Sequence, residues 1–140
     1  MKTKNGLMTA DSRPPLVLLQ EDYRRLSALA NAARITMPQL AEDLAEEIGR
    51  ARVVARYEKS DTAVCMNSVV TFRDDLTGVI REVTLVYPHE ADINAGKISV
   101  MTPIGTALIG MVTGRSITWE TPSGETRQLT VLGIRPCRKA

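Results

Sequence analysis

The chain has 140 residues, of which 44% are hydrophobic and 24% are charged, and its formal net charge at pH 7 is +2. This length suits a single globular unit that needs neither a disulfide nor a metal to fold, and the balanced charge argues against the strongly basic surface of most nucleic-acid-binding proteins. We expect no membrane partner, because no apolar run approaches the roughly 18 residues of a membrane-spanning helix and residues 1–12 lack the apolar centre of a secretory signal.

The N-terminal part begins with a polar stretch and continues into a helical pattern. Residues 1–15 contain an Asn-Gly pair and a Pro-Pro pair, and we interpret them as a flexible leader. The apolar run at residues 16–19 fits either a short strand or the approach to a helix. From Gln20 to Ala33 apolar side chains recur at helical spacing, which predicts an amphipathic helix.

A second helix is predicted after a short link. Thr36 with Gln39 three positions later fits a capping box, and Pro38 falls in the first turn, where its missing N–H does no harm. The apolar stripe of this helix is Met37, Leu40, Leu44, Ile48 and Ala51. Two such helices, each about 14 residues and roughly 20 Å long, would form a short antiparallel hairpin, a truncated coiled coil, over residues 16–57. Its turn would present the hairpin tip, which we define as Arg34, Ile35 and Thr36.

The second half of the chain is predicted to form a sheet, because near residue 60 Ala, Leu, Glu and Arg give way to the strand formers Val, Thr and Ile. The predicted strands are 67–73 and 79–87 around a turn at 74–78, then 98–100, and a last hairpin of 117–121 and 128–134. Thr102 is predicted to cap a short helix with Pro103 at its first position. The fold class is therefore α+β: a helical hairpin followed by an antiparallel sheet with one short helix.

Residues that could carry catalysis are few and scattered. The chain has no nucleophile motif, phosphate-binding loop or zinc-binding helix motif, so we expect no enzyme activity and no cofactor. His89 is interpreted as a surface histidine. The acidic residues of the second helix could offer oxygen ligands to a divalent ion, but a solvated face that complements the helix dipole is the favoured interpretation. These residues are Glu42, Asp43, Glu46 and Glu47.

The two cysteines, Cys65 and Cys137, lie far apart in the sequence and form no metal-binding pattern. Reduced thiols of a cytoplasmic protein are therefore expected. Cys65 stands between Val64 and Met66 and is interpreted as a small buried hydrophobe.

Two segments resemble a known family. Residues 98–110 read Ile-Ser-Val-Met-Thr-Pro-Ile-Gly-Thr-Ala-Leu-Ile-Gly, and residues 119–125 read Trp-Glu-Thr-Pro-Ser-Gly-Glu. Both resemble the C-terminal domain of the Gre transcript-cleavage factors, in which an Ile-Ser strand precedes a proline-started helix and the last hairpin has a similar turn. Residues 64–73 and 84–88 resemble the Rnk branch of this family, regulators of nucleoside diphosphate kinase. The resemblance extends over most of residues 16–135.

The resemblance implies an FKBP-like C-terminal domain over residues 64–136 and RNA polymerase as the partner. Gre factors use this domain to grip the rim of the polymerase secondary channel, at a corner between a strand and a helix. Carried over to this sequence, the docking corner consists of Ser99, Met101, Pro103 and Ile104. From the residues alone, core packing at this corner stays an open alternative. The shared rim implies competition with Gre factors, and any contact with DNA would be indirect, through the polymerase.

The hairpin tip departs from the Gre pattern. In Gre factors two acidic residues at the tip hold a catalytic magnesium ion, whereas residues 31–38 here contain Arg34 and no acid. A magnesium site needs converging oxygen ligands, so we expect no metal site and no transcript cleavage. Two alternatives stay open. One is direct action on nucleoside diphosphate kinase, and the other is prolyl isomerase activity, which rests on fold analogy alone and lacks the ring of aromatic side chains that such a pocket needs.

Overall fold

The N-terminal part of the computed structural model is a helical hairpin whose base is tied by two short strands. β1 (Val17–Leu19) leads into α1 (Gln20–Ala32), and α2 (Pro38–Gly49) is followed by β2 (Arg52–Val54). β1 and β2 pair in parallel, so the apolar run at residues 16–19 is a strand. This pairing joins the chain before α1 to the chain after α2 and closes the base of the hairpin.

The structure describes residues 16–58, 62–121 and 123–135. The predicted leader at residues 1–15 and Cys137 therefore lie outside the described residues. None of the helices in these described ranges has the length and hydropathy of a membrane-spanning segment.

The predicted capping box at the start of α2 is wrong. Met37 is the N-cap residue, and no side chain caps the helix. The Met37 N–H donates to the Ala33 carbonyl oxygen at 2.8 Å, so Thr36 lies inside the preceding turn, one position too early to cap. Gln39 instead donates from Nε2 to Oδ1 of Asp43 at 3.0 Å. The predicted place of Pro38 in the first helical turn is confirmed.

The buried stripe of α2 is shorter than predicted. Leu44 and Ile48 are buried as expected, and Ala41 is buried with them. Met37, by contrast, is 41% exposed. Met37 lies in the turn beyond the last residue of α1, so no residue of α1 stands opposite it to cover its side chain.

The C-terminal part is a five-stranded sheet with one short helix, which fits the predicted α+β class. Its elements are β3 (Val69–Asp74), β4 (Ile80–Val86), β5 (Lys97–Ser99), α3 (Pro103–Leu108), β6 (Ser116–Glu120) and β7 (Thr126–Arg135). The strand order across the sheet is β5-β4-β3-β7-β6. Burial alternates over residues 82–85 of β4 as its period predicts, with Val83 and Leu85 buried and Glu82 exposed, but Val86 at the end of the strand is buried as well.

The prediction of a purely antiparallel sheet is wrong at one edge, where β5 pairs in parallel with β4. A tight turn after β4 would return the chain antiparallel. The connection instead contains two short 3-10 turns, Pro88–Glu90 and Ile93–Ala95. It carries the chain back along β4 as far as Thr84, where Lys97 begins β5 in the same direction as β4. The FKBP-like description of this sheet stays a prediction.

One hydrophobic core runs through the hairpin and the sheet. The hairpin side contributes Leu16, Leu18, Leu26, Leu44 and Ile48, and the sheet contributes Val70, Phe72, Leu85, Leu129 and Val131. Cys65 is 4% exposed within this core, which confirms its interpretation as a buried hydrophobe. Burial of apolar surface contributes about 25 cal/mol per Å². Separating the hairpin from the sheet would expose apolar side chains of both parts and would therefore lower the free energy of unfolding of each.

Candidate docking site

The docking corner is a tight turn between β5 and α3 that is closed by side-chain hydrogen bonds to the backbone. The Thr102 hydroxyl accepts a hydrogen bond from the Gly105 N–H at 3.0 Å and donates one to the Ser99 carbonyl oxygen at 2.7 Å. Thr102 is the N-cap of α3, and Pro103 occupies the first turn of this helix. The sequence-based prediction for the start of this helix is therefore confirmed.

The buried Ser99 side chain stabilises the turn through a hydrogen bond to its backbone. It is 8% exposed, and its Oγ accepts a hydrogen bond from the Met101 N–H at 2.9 Å. The buried Thr106 hydroxyl donates to the Val100 carbonyl oxygen at 2.7 Å, which fastens α3 to the residue that follows Ser99. Ser99 and Thr106 therefore fix the shape of the docking corner and offer little surface to a partner.

Gly105 permits the close packing of α3 on the turn. A Cβ atom built on this glycine would lie 2.1 Å from the Ser99 carbonyl oxygen and 2.9 Å from the Val100 Cα, so no larger residue fits without a backbone shift. Sequence reasoning missed Gly105 and Thr106. A glycine in the first turn of a helix is unfavourable for the helix itself, and this local cost is the signal that a close approach requires it.

The outward surface of the docking corner comes mainly from Pro103, which is exposed. Met101 and Ile104 flank it, and both are half-buried with part of each side chain packed against the core. The structure therefore brings the four predicted residues together but divides their roles. Pro103, Met101 and Ile104 form an apolar patch, and Ser99 lies beneath it.

The hairpin tip presents a basic and an apolar side chain to solvent. Arg34, Ile35 and Thr36 are all exposed, and Ile35 is 90% exposed. Arg34 donates from Nη1 to Oδ1 of Asn31 at 3.3 Å. The tip and the docking corner are separate sites, because the tip lies in the turn between α1 and α2 and the corner lies at the edge of the sheet.

Asp43 and Glu47 on the acidic face of α2 make local hydrogen bonds. Asp43 accepts a hydrogen bond from Gln39, and Glu47 accepts one from Arg50 at 3.0 Å between Nη2 and Oε1. In the part of the chain that the structure describes, no three His, Cys, Asp or Glu side chains lie close enough together to hold a metal ion. Glu42 and Glu46 are exposed, as the solvated-face interpretation predicts, whereas the Glu47 side chain is only 17% exposed and does not fit it.

Known proteins are similar to both parts of this chain. Residues 59–136 match the family described as Transcription elongation factor, GreA/GreB, C-term, and residues 14–54 match the family described as Rnk N-terminus. The Regulator of nucleoside diphosphate kinase of Escherichia coli (strain K12) is 36% identical over 123 residues, which cover 88% of this chain and 90% of that protein. Transcription elongation factor GreA of Syntrophobacter fumaroxidans is 37% identical over 94 residues, which cover 67% of this chain and 60% of GreA.

A solved structure extends the similarity to the fold. The prokaryotic transcription elongation factor GreA/GreB from Nitrosomonas europaea superposes with a TM-score of 0.70 at 33% sequence identity. The match covers 89% of this chain and 100% of that chain. The similarity therefore includes the helical hairpin as well as the sheet.

Proposed function

This chain belongs to the GreA/GreB family of transcription elongation factors, in its Rnk branch, and on that premise we propose that it regulates transcription by binding RNA polymerase. The docking corner contacts the rim of the polymerase secondary channel, and the helical hairpin stands at the channel entrance. A Gre factor that needs the same rim is then excluded by mass action. This function places the protein in the cytoplasm and requires no direct contact with DNA.

The observation that carries this proposal is the apolar patch around Pro103, flanked by Met101 and Ile104. Its backbone is held by the hydrogen bonds between Thr102, Ser99 and Gly105 before any partner arrives. A surface that is already ordered loses little conformational entropy on binding, and interface centres are typically apolar. The patch therefore suits a protein partner better than a charged ligand.

The hairpin tip supports regulation without transcript cleavage. Its Arg34, Ile35 and Thr36 provide no carboxylate, and a magnesium ion that acts on a phosphodiester needs carboxylate oxygens at the point of chemistry. The hairpin is also short, because the 12 residues of α2 span roughly 18 Å. We therefore assign it the role of a plug that occupies space.

Retention on immobilised core RNA polymerase tests the docking surface. Pro103→Asp places a charge at the centre of the patch, and an acid in the first turn suits the α3 N-terminus, so the fold should be kept. We expect retention to fall by about tenfold or more, as for a charge buried at an interface centre. Met101→Asp combined with Pro103→Ala should have the same effect, with circular dichroism to show that the double variant folds.

Leu76→Asp is the matched control. Leu76 is 70% exposed and lies in the turn between β3 and β4, at the opposite end of β4 from the residues that pair with β5. This variant should bind as the unaltered protein does. Absence of binding by the unaltered protein, or equal retention of all variants, would contradict the proposal. Stimulated cleavage of a backtracked transcript by the purified protein would contradict the assigned lack of chemistry.

Direct regulation of nucleoside diphosphate kinase is the second candidate, because the similar Escherichia coli protein bears that name. Co-purification of this chain with the kinase in the absence of polymerase would favour it. Binding that Pro103→Asp leaves unchanged would show that such an interface lies outside the docking corner.

A further inference from the structure

A contact between α1 and the end of β4 joins the hairpin to the sheet in addition to the shared core. Tyr87 is 4% exposed, and its hydroxyl donates a hydrogen bond to Oδ1 of Asp22 at 2.6 Å, across 65 residues of sequence. Burial, followed by the hydrogen bond to Asp22, raises the pKa of Tyr87. The Tyr87 hydroxyl donates to a carboxylate oxygen, so the contact is a charge-assisted hydrogen bond.

Two further side chains hold the Tyr87 ring. Arg25, which follows Asp22 on α1, places its guanidinium carbon 5.2 Å from the ring centroid, within cation–π distance. His89, exposed as the sequence predicts, stacks on Tyr87 with 6.4 Å between ring centroids and an interplanar angle of 16°. We name Asp22, Arg25 and Tyr87 the clamp. The negative Asp22 binds the Tyr87 hydroxyl, and the positive Arg25 contacts the Tyr87 ring.

The clamp lies directly beside the strand pair that carries the docking corner. Val86, which precedes Tyr87, is opposite Ser99 in the pairing of β4 with β5. The Val100 N–H also donates to the Val86 carbonyl oxygen at 2.9 Å. A short path of bonded and hydrogen-bonded residues therefore leads from α1 through Tyr87 to the turn that presents Pro103.

We propose that the clamp sets the angle at which the helical hairpin projects from the docking corner, so that corner and tip meet one partner surface together. Apolar contacts in the shared core are not directional, whereas the hydrogen bond to Asp22 and the stacking of Arg25 are. Asp22, Arg25 and Tyr87 are positioning residues in this scheme. The inference rests on the proposed function only in identifying the partner surface as that of RNA polymerase.

Two conservative variants remove the directional contact. Tyr87→Phe deletes the hydroxyl and keeps the buried ring, and Asp22→Asn keeps the side-chain shape without the carboxylate charge. Tyr23→Phe is the matched control. It also deletes a tyrosine hydroxyl, but at a residue of α1 whose side chain is 38% exposed. Urea unfolding of each variant, in the full chain, separates loss of hairpin angle from partial unfolding.

The distance between hairpin tip and sheet is measured in the free protein by pulsed electron paramagnetic resonance. Spin labels are attached to cysteines that replace Thr36 in the tip and Leu76 in the turn between β3 and β4, after Cys137→Ser. Cys65 is 4% exposed, and burial keeps it from reacting with the label. We expect a shifted or broadened distance distribution for Tyr87→Phe and Asp22→Asn, and the original distribution for Tyr23→Phe. An unchanged distribution in both clamp variants would overturn the proposal.

Competition with a Gre factor tests the consequence for function. Because the clamp variants keep the docking corner, they should still bind polymerase, but about tenfold more weakly or less, the range expected for loss of a hydrogen bond to a charged group. Exclusion of the Gre factor, which follows binding by mass action, should weaken in the same proportion. Equal exclusion by variants with an altered distance would also contradict the proposal. If the unaltered protein does not bind polymerase, the proposed function fails, whereas the distance measurement still decides whether the clamp sets the angle.

Discussion

The carboxylate of Asp75 accepts a hydrogen bond from the Thr130 hydroxyl at 2.7 Å and thereby fastens the turn between β3 and β4 to β7. The same carboxylate accepts hydrogen bonds from Nε of Arg73 at 2.8 Å and from Nε2 of Gln128 at 2.9 Å. The hydrogen bond from Thr130, followed by that from Arg73, lowers the pKa of Asp75. The Asp75 side chain therefore ties the turn to β7, together with the Asp75 N–H, which donates to the Gln128 carbonyl oxygen at 2.9 Å, and with Asp74, which accepts from Arg127.

Asp75→Asn should lower the free energy of unfolding at neutral pH, because an amide cannot accept all three hydrogen bonds. The pKa of Asp75 is lower in the folded protein than its ordinary value of 3.8. Its contribution is therefore complete above that value and is lost as pH falls through the folded pKa. Urea unfolding of both proteins at neutral and at strongly acidic pH should show a difference that shrinks on acidification. A difference that is constant with pH would contradict the prediction.

Gly105→Ala should destabilise the protein by about 1–3 kcal/mol, the usual cost of adding a methyl group to a packed site. The new Cβ would meet the Ser99 carbonyl oxygen, which is backbone and cannot rotate away. Gly49→Ala is the matched control, because it adds the same methyl group at the end of α2, where no atom lies within 4 Å. It should stabilise by about 0.5–1 kcal/mol. Urea unfolding measures both values, and equal effects of the two substitutions would be inconsistent with the close approach.

Thr102→Ala should cost about 1 kcal/mol through loss of the α3 N-cap. Thr102→Ser keeps a hydroxyl that can accept from Gly105 and donate to Ser99, so it should recover most of this loss. Chemical denaturation together with amide exchange at Gly105 provides the measurement. Equal destabilisation by both substitutions would show that the methyl group of Thr102, and not its hydroxyl, is what matters.

Ile35→Asp should leave stability within about 0.5 kcal/mol of the original, because the Ile35 side chain is 90% exposed. Under the proposed function it should nevertheless weaken exclusion of a Gre factor, since it alters the surface that the hairpin carries into the channel entrance. Ile93→Asp is the control, at a side chain that is 86% exposed outside the hairpin. A Gre competition assay that ranks the two variants equally would argue against a role for the tip.

Much of the fold was predictable where a structural choice depends on neighbouring residues. The helices, the alternation over residues 82–85 of β4 and the Thr102-Pro103 start of α3 follow from side chains that are close together in the sequence. The capping box failed although it is also a local pattern, because the hydrogen bond from Met37 to Ala33 extends the turn by one residue. At the docking corner, Thr102 and Pro103 were enough to predict where α3 begins. The burial of Ser99 depends on how α3 packs and became visible only in the structure.

Local sequence patterns were enough to predict the order of α1, α2 and the elements from β3 to β7, the cap of α3 and a hairpin tip without a carboxylate, but they did not predict β2. Each of these depends on which residues occupy adjacent positions in the chain. The parallel pairing of β5 with β4, the pairing of β1 with β2, and the contact of Tyr87 with Asp22 became visible only in the folded chain. These contacts join residues far apart in sequence, and their free energy depends on the packing of the whole core, which no local pattern contains.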